Sequence, residues 1–134
     1  MANSVGSIDT SSTAAIEPVN LADMFAKFDE PWSPKIVGEV NDTALKVVKL
    51  EGAFLWHQHA NADELFFVVA GSFTMRLRDR DVIVGEREFI IVPKGVEHMP
   101  VADQRCHVLL IEPGDLVNTG DVQSERTADP SQSL

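Results

Sequence analysis

HQHANADELFFVVAG, residues 57–71, sets two histidines one residue apart, follows them with Glu64, and runs through ELFFVVA to Gly71. In an extended strand, positions two apart share a face. His57 and His59 therefore point together, with Ala53 and Leu55 behind them. In the apolar run, Glu64, Phe66, Val68 and Ala70 share one face, and Leu65, Phe67 and Val69 share the other. Both faces are apolar, as in a strand covered on two sides, by a barrel core within and by a helix or second subunit outside. Imidazole and carboxylate are ligands for Mn, Fe, Co, Ni, Cu or Zn, and a metal would justify three polar groups placed among Leu55, Phe66 and Val68. A solvated strand end would accommodate them equally well. The spacing HxH-x4-E alone leaves both readings open.

Working outward, the rest of the chain is punctuated in the same way. From Lys35 onward, short β-like runs alternate with turn chemistry. KIVGEV ends at Asn41-Asp42, TALKVVKL at Glu51-Gly52, and AFLWH leads into the histidine pair. SFTMRLR ends at Asp79-Arg80, DVIV at Gly85, EFIIV at Pro93-Lys94-Gly95, and EHMPVA at Asp103-Gln104. CHVLLIE closes the series before Pro113-Gly114. Counting ELFFVVA, nine short strands with no helical pattern between them predict an all-β sandwich, barrel or jelly roll. Before them, residues 1–17 read as a mobile tail. Residues 18–34 read as a short amphipathic helix and linker, with Leu21, Met24, Phe25 and Phe28 in one stripe, Asn20 as its cap and Pro31 and Pro34 as its stops. Residues 35–113 form the barrel, and the polar stretch 114–134 reads as a surface tail.

The segment PKGVEH, residues 93–98, decides between the two readings of the histidines. It places His98 just after a Pro-x-Gly turn, and with it the chain resembles the cupin superfamily. Gly52, His57, His59, Glu64 and Gly71 match that family's first motif, with the leading gap one residue shorter than usual. Pro93, Gly95 and His98 match the second. Arg87 stands where that motif begins with Gly, Glu88 keeps the acidic residue that often follows, and Ala102 stands where Asn is usual. These departures fall at turn and supporting positions. Three of the chain's four histidines lie on motif positions, and the resemblance spans roughly residues 35–112. It implies a double-stranded β-helix, a jelly-roll barrel, with one divalent transition metal held by His57, His59, Glu64 and His98 in the barrel mouth.

Composition narrows the function classes. At 134 residues the chain is long enough for one domain with its own core. Its net charge of −10, with no basic stripe, disfavours nucleic acid and anionic membranes as partners. No apolar run approaches the ~20 residues of a membrane-spanning helix. The N-terminus lacks the pattern of a secretory signal. A single cysteine, Cys106, excludes an internal disulfide framework and suits the cytoplasm. Cys106 reads as a small buried residue, His107 as a structural one, Trp32 and Trp56 as packing residues, and Arg76, Arg78 and Glu97 as facing away from the site.

Strand alternation makes a largely apolar pocket of Leu55, Phe66, Val68, Phe73, Met75 and Pro100. No second carboxylate or lysine is aimed inward, and no cations stand ready for a phosphate, which places a sugar isomerase behind metal-dependent oxygen chemistry. The expected protein is a metal-dependent dioxygenase or related oxidoreductase on a small apolar substrate, working as a homodimer. The alternative is a non-enzymatic module that binds or senses a small ligand through its metal.

Overall fold

Residues 16–134 are described by the structure, a computed structural model. The tail expected over residues 1–17 lies almost wholly outside them. A short helix, α1 (Leu21–Phe25), is capped by Asn20, whose side chain accepts a hydrogen bond from the Asp23 amide at 3.0 Å. It ends before Phe28, shorter than the apolar stripe predicts, because the sheet captures the chain. Phe25 is buried and stacks on His107 with ring centroids 4.3 Å apart. The Phe28 carbonyl accepts from Lys49 Nζ at 2.5 Å.

Seven strands follow: β1 (Lys35–Val40), β2 (Thr43–Ala53), β3 (Glu64–Ala70), β4 (Phe73–Leu77), β5 (Asp81–Val84), β6 (Phe89–Val92) and β7 (His98–Pro113). All pairings are antiparallel, in the order β1-β2-β7-β3-β6, with β4 joined to β5 and to β7. The all-β barrel expected from the alternation is thus the fold. Asn41 and Asp42 make the two-residue turn between β1 and β2, where Val40 pairs with Thr43 and Asn41 takes the left-handed φ of 56°.

The strand count is corrected from nine to seven. EHMPVA and CHVLLIE are one strand, because Asp103-Gln104 is a bulge rather than a turn. Leu50 pairs with Cys106 while Gly52 pairs with Ala102, so β7 carries the extra residues and bends without breaking. The stretch AFLWH gives only Ala53 to β2. From Phe54 the chain leaves the sheet and returns to it at a single bridge between His57 and His98. Val48, Leu50, Phe66, Val68, Phe73, Met75, Val84, Val92, Ala102, Cys106, Val108 and Leu110 form the buried core.

Residues 114–134 are not a free tail but pack back on the barrel. The Ile36 amide donates to the Gln132 carbonyl at 2.8 Å, and the Leu134 amide donates to the Ile36 carbonyl at 3.1 Å. Thr119 is fully buried, its Oγ1 2.7 Å from that of Thr127. Gly120, at φ +61°, comes so close to the Gln58 carbonyl that a Cβ there would stand 2.0 Å from its oxygen. The segment is polar because its Asn118, Ser124 and Thr127 side chains satisfy its own backbone, and Asn118 also reaches the Trp32 carbonyl, which a reading of composition takes for solvent exposure.

Candidate metal centre

Four residues from three parts of the chain meet inside the barrel. His57 and His98 exchange both backbone hydrogen bonds, at 3.1 and 2.9 Å, which sets their rings side by side with centroids 4.2 Å apart. His59 is held from the other side, its carbonyl accepting from the Gly95 amide at 2.9 Å. That contact needs the tight Pro93-Lys94-Gly95 turn, in which Gly95 adopts φ +81°. Glu64 opens β3, and its pairing with Val92 of β6 turns its side chain inward. The ligand-type atoms of His57, His59, Glu64 and His98 all lie within 4.8 Å of one another, and all four residues are buried. Glu64 Oε1 stands 3.2 Å from His59 Nε2 and 3.5 Å from His98 Nε2.

The ring orientations are fixed by the backbone. Nδ1 of His57 lies 2.9 Å from the Leu55 carbonyl, and Nδ1 of His98 lies 2.9 Å from the Val96 carbonyl. A carbonyl can only accept, so each Nδ1 carries a hydrogen, and Nε2 is the atom that the neutral ring offers to a metal. Burial, reinforced by the neighbouring His98, pushes His57 down to about 4, so its imidazole is neutral at pH 7. Burial opposes the charged form of Glu64, yet contacts with His59 and His98 hold its carboxyl well below the usual range. His59 Nε2, His98 Nε2 and Glu64 Oε1 are buried and have no hydrogen-bond partner. Unpartnered polar atoms of this kind cost several kcal/mol when buried (~2–7 kcal/mol each). A divalent cation would satisfy all of them at once, and three imidazoles with a carboxylate suit Mn, Fe, Co, Ni, Cu or Zn. The donor set fits a metal ion.

A cavity opens beside the cluster, lined by Trp32, Val48, Leu50, Phe54, Phe66, Pro100, Leu110 and Asn118 together with His57 and Glu64. Of the expected lining, Phe66 and Pro100 stand there. Val68, Phe73 and Met75 are instead packed into the core, and Leu55 is absent from the wall because the chain has already left the strand when it reaches Phe54. Phe54 takes that place, stacked on Trp32 at 4.6 Å and edge-on to His57 at 5.3 Å. Trp32 holds an unusual φ of +62°, fixed by its Nε1 donating to the Glu51 carbonyl at 2.8 Å and its amide donating to the Lys49 carbonyl at 2.8 Å. A bulky residue in the left-handed region is strained, and here the strain coincides with the cavity wall. Asn118 reaches the wall from the C-terminal segment, donating to the Trp32 carbonyl at 3.0 Å.

The expectation that no second carboxylate or lysine faces inward is corrected. Lys46 and Glu112 are both buried and paired, Nζ to Oε2 at 2.9 Å. Burial and the charge of Glu64 push the Glu112 carboxyl well up. The signal was present, since Cys106, Val108, Leu110 and Glu112 follow strict alternation and are all buried. The same alternation turns His107 outward onto Phe25. Arg76, Arg78 and Glu97 stay outside, with Arg78 paired to Glu97 at 3.2 Å and lying over the Trp56 ring at 3.8 Å.

Comparison with known proteins agrees with this geometry. A family described as "Cupin domain" matches residues 45–112. The chain is 30% identical over 77 residues to the uncharacterized protein YdbB of Bacillus subtilis, covering 57% of this chain and 68% of that one. It is similar to a crystal structure of a cupin-2 domain containing protein from Shewanella frigidimarina, with a TM-score of 0.70 and 38% identity, covering 78% of this chain and 99% of the other. A hydroquinone 1,2-dioxygenase from Sphingomonas sp. TTNP3 shares the fold at a TM-score of 0.61 but only 15% identity, over 70% of this chain and 72% of the other.

Proposed function

The chain belongs to the cupin domain family, and we propose that it binds one divalent transition metal through His57, His59, Glu64 and His98 and uses it in oxidative chemistry. The reaction is that of a dioxygenase or related oxidoreductase on a small, largely apolar substrate. The observation that carries this reading is the pairing of an orphaned donor set with an apolar wall. Among the described residues no Lys or Arg lines the cavity, Arg126 lying over the Trp32 and Phe54 rings of its wall at 6.0 Å, so a phosphorylated sugar finds no counter-charge inside it. When bound, the ion supplies the Lewis acidity and redox capacity that none of these side chains has.

The chain's own residues do the remaining work. The Leu55 and Val96 carbonyls hold His57 and His98 in the tautomer that presents Nε2. Trp32 and Phe54 close the wall against bulk water, and Phe66, Leu110 and Pro100 give an apolar substrate its contact surface. We place the protein in the cytoplasm, where a lone buried thiol such as Cys106 stays reduced. It acts as a homodimer, joined through the outer face of β3 and β6. On that face Phe89 and Ile91 are 60% and 51% exposed, and they pair with Phe67 and Leu65.

Metal analysis tests the ligand set. Protein purified with His57→Ala or Glu64→Gln should retain little metal, and full occupancy in either variant would overturn the assignment. Oxygen uptake over a panel of small enols, thiols and phenols tests the reaction. Turnover that disappears in His98→Ala supports the enzyme. Tight binding without consumption supports instead a module that binds or senses a small ligand.

A further inference from the structure

Behind Glu64 lies a row of charged side chains that the proposed chemistry does not use. β7 runs between β2 and β3. Ala44 pairs with Glu112 and Lys46 with Leu110 on one side, so Lys46 and Glu112 are diagonal neighbours on the inner face. On the other side Leu65 pairs with Ile111 and Phe66 with Leu110, so Glu64, one residue before Leu65, lies beside Glu112, one residue after Ile111, and their carboxyls meet. Lys46, Glu112 and Glu64 therefore cross three strands in one line, with side chains 1%, 2% and 4% exposed. Lys46 Nζ is tied down twice, to Glu112 Oε2 at 2.9 Å and to the Leu116 carbonyl at 3.4 Å.

Stability alone does not call for such a pair. Burying a lysine and a carboxyl together costs heavily in desolvation whichever protonation state they share, and apolar residues of similar volume are often as stable or more so. What the pair does have is a neighbour with a geometric task. Glu64 must keep one oxygen on the two imidazoles, and nothing on β6 can hold it, since its partner there is Val92. Groups that orient metal ligands from behind change affinity by 10- to 100-fold in other sites.

We infer that the Lys46–Glu112 pair is a positioning device for Glu64, fixing the carboxylate from behind so that Oε1 faces His59 and His98. The inference rests on the metal-site reading above. The full chain, freed of metal by chelation, is titrated with Co²⁺, following both affinity and the visible absorption of the bound ion. The variants are Glu112→Gln, Lys46→Met and the double Lys46→Met/Glu112→Leu. The double variant removes both members of the pair, so neither is left buried without its partner, and keeps the test open if either single variant fails to fold.

The expected result is Co²⁺ binding roughly 10- to 100-fold weaker in the double variant, with an altered visible spectrum and a melting temperature of the metal-free protein close to that of the parent. A folded double variant with the parent's affinity and spectrum would overturn the inference while leaving the metal site standing. Parent protein that binds no Co²⁺ would overturn the metal reading itself, and the inference with it.

Discussion

Cys106 and His107 are adjacent in sequence and face opposite sides of one strand, and their chemistry divides accordingly. Cys106 sits in the core, where burial pushes its thiol from 9.0 up to about 11. The folded state thus holds its proton while the unfolded chain has already ionised. This contributes a loss of stability as pH rises from about 9 toward about 11 and none below that window. At pH 8 native Cys106 should react with a disulfide reagent at least ~100-fold more slowly than the urea-unfolded chain, from thiolate content alone. Comparable rates would mean that the strand opens readily. The period-two rule that separates these neighbours also reaches Glu112, yet a carboxylate near a strand end invites a solvent-facing reading. Carboxylates are seldom fully buried unless paired. Its partner Lys46 is distant in sequence, and only the β2–β7 register brings them together. Three candidate ligands were legible because their spacing is local, and His98 because a Pro-x-Gly turn marks its place; their supporting residues were not, because that support is cross-strand and carries no local pattern.

At the scale of elements, the C-terminal segment behaves as a strap across the mouth of the barrel. Gly120 is where it touches the ligand loop, since its missing side chain lets the backbone close on Gln58 between His57 and His59. Gly120→Ala should lower stability by more than ~1 kcal/mol, from the left-handed φ alone, with a further cost for the blocked approach. The denaturant midpoint reports the loss. Metal affinity should fall with it, because Gln58 cannot shift without moving both flanking histidines. An unchanged midpoint would show that the strap lies loosely. This segment was invisible in the sequence because its anchors are polar side chains meeting backbone, which carry no periodicity. The bulge in β7 was hidden for a related reason. Asp103-Gln104 has the chemistry of a turn, and only the pairing partner decides whether the chain reverses or bends.

For the whole molecule, Phe89 and Ile91 leave apolar surface exposed on the outer face of β3 and β6. Phe89→Lys together with Ile91→Lys should halve the mass measured by light scattering if that face joins two copies. A monomeric parent protein would refute the dimer. The barrel itself hangs on one strand, since β7 pairs with β2, β3 and β4, and it is the last of the seven to leave the ribosome. Until it emerges, β2 and β3 expose unpaired edges, and His98 is missing from the cluster. Contacts of such long sequence separation form slowly, and open edges invite aggregation. The time between synthesis of β2 and synthesis of β7 is therefore the period in which a nascent chain most needs protection, and the four candidate ligands can come together only at its close.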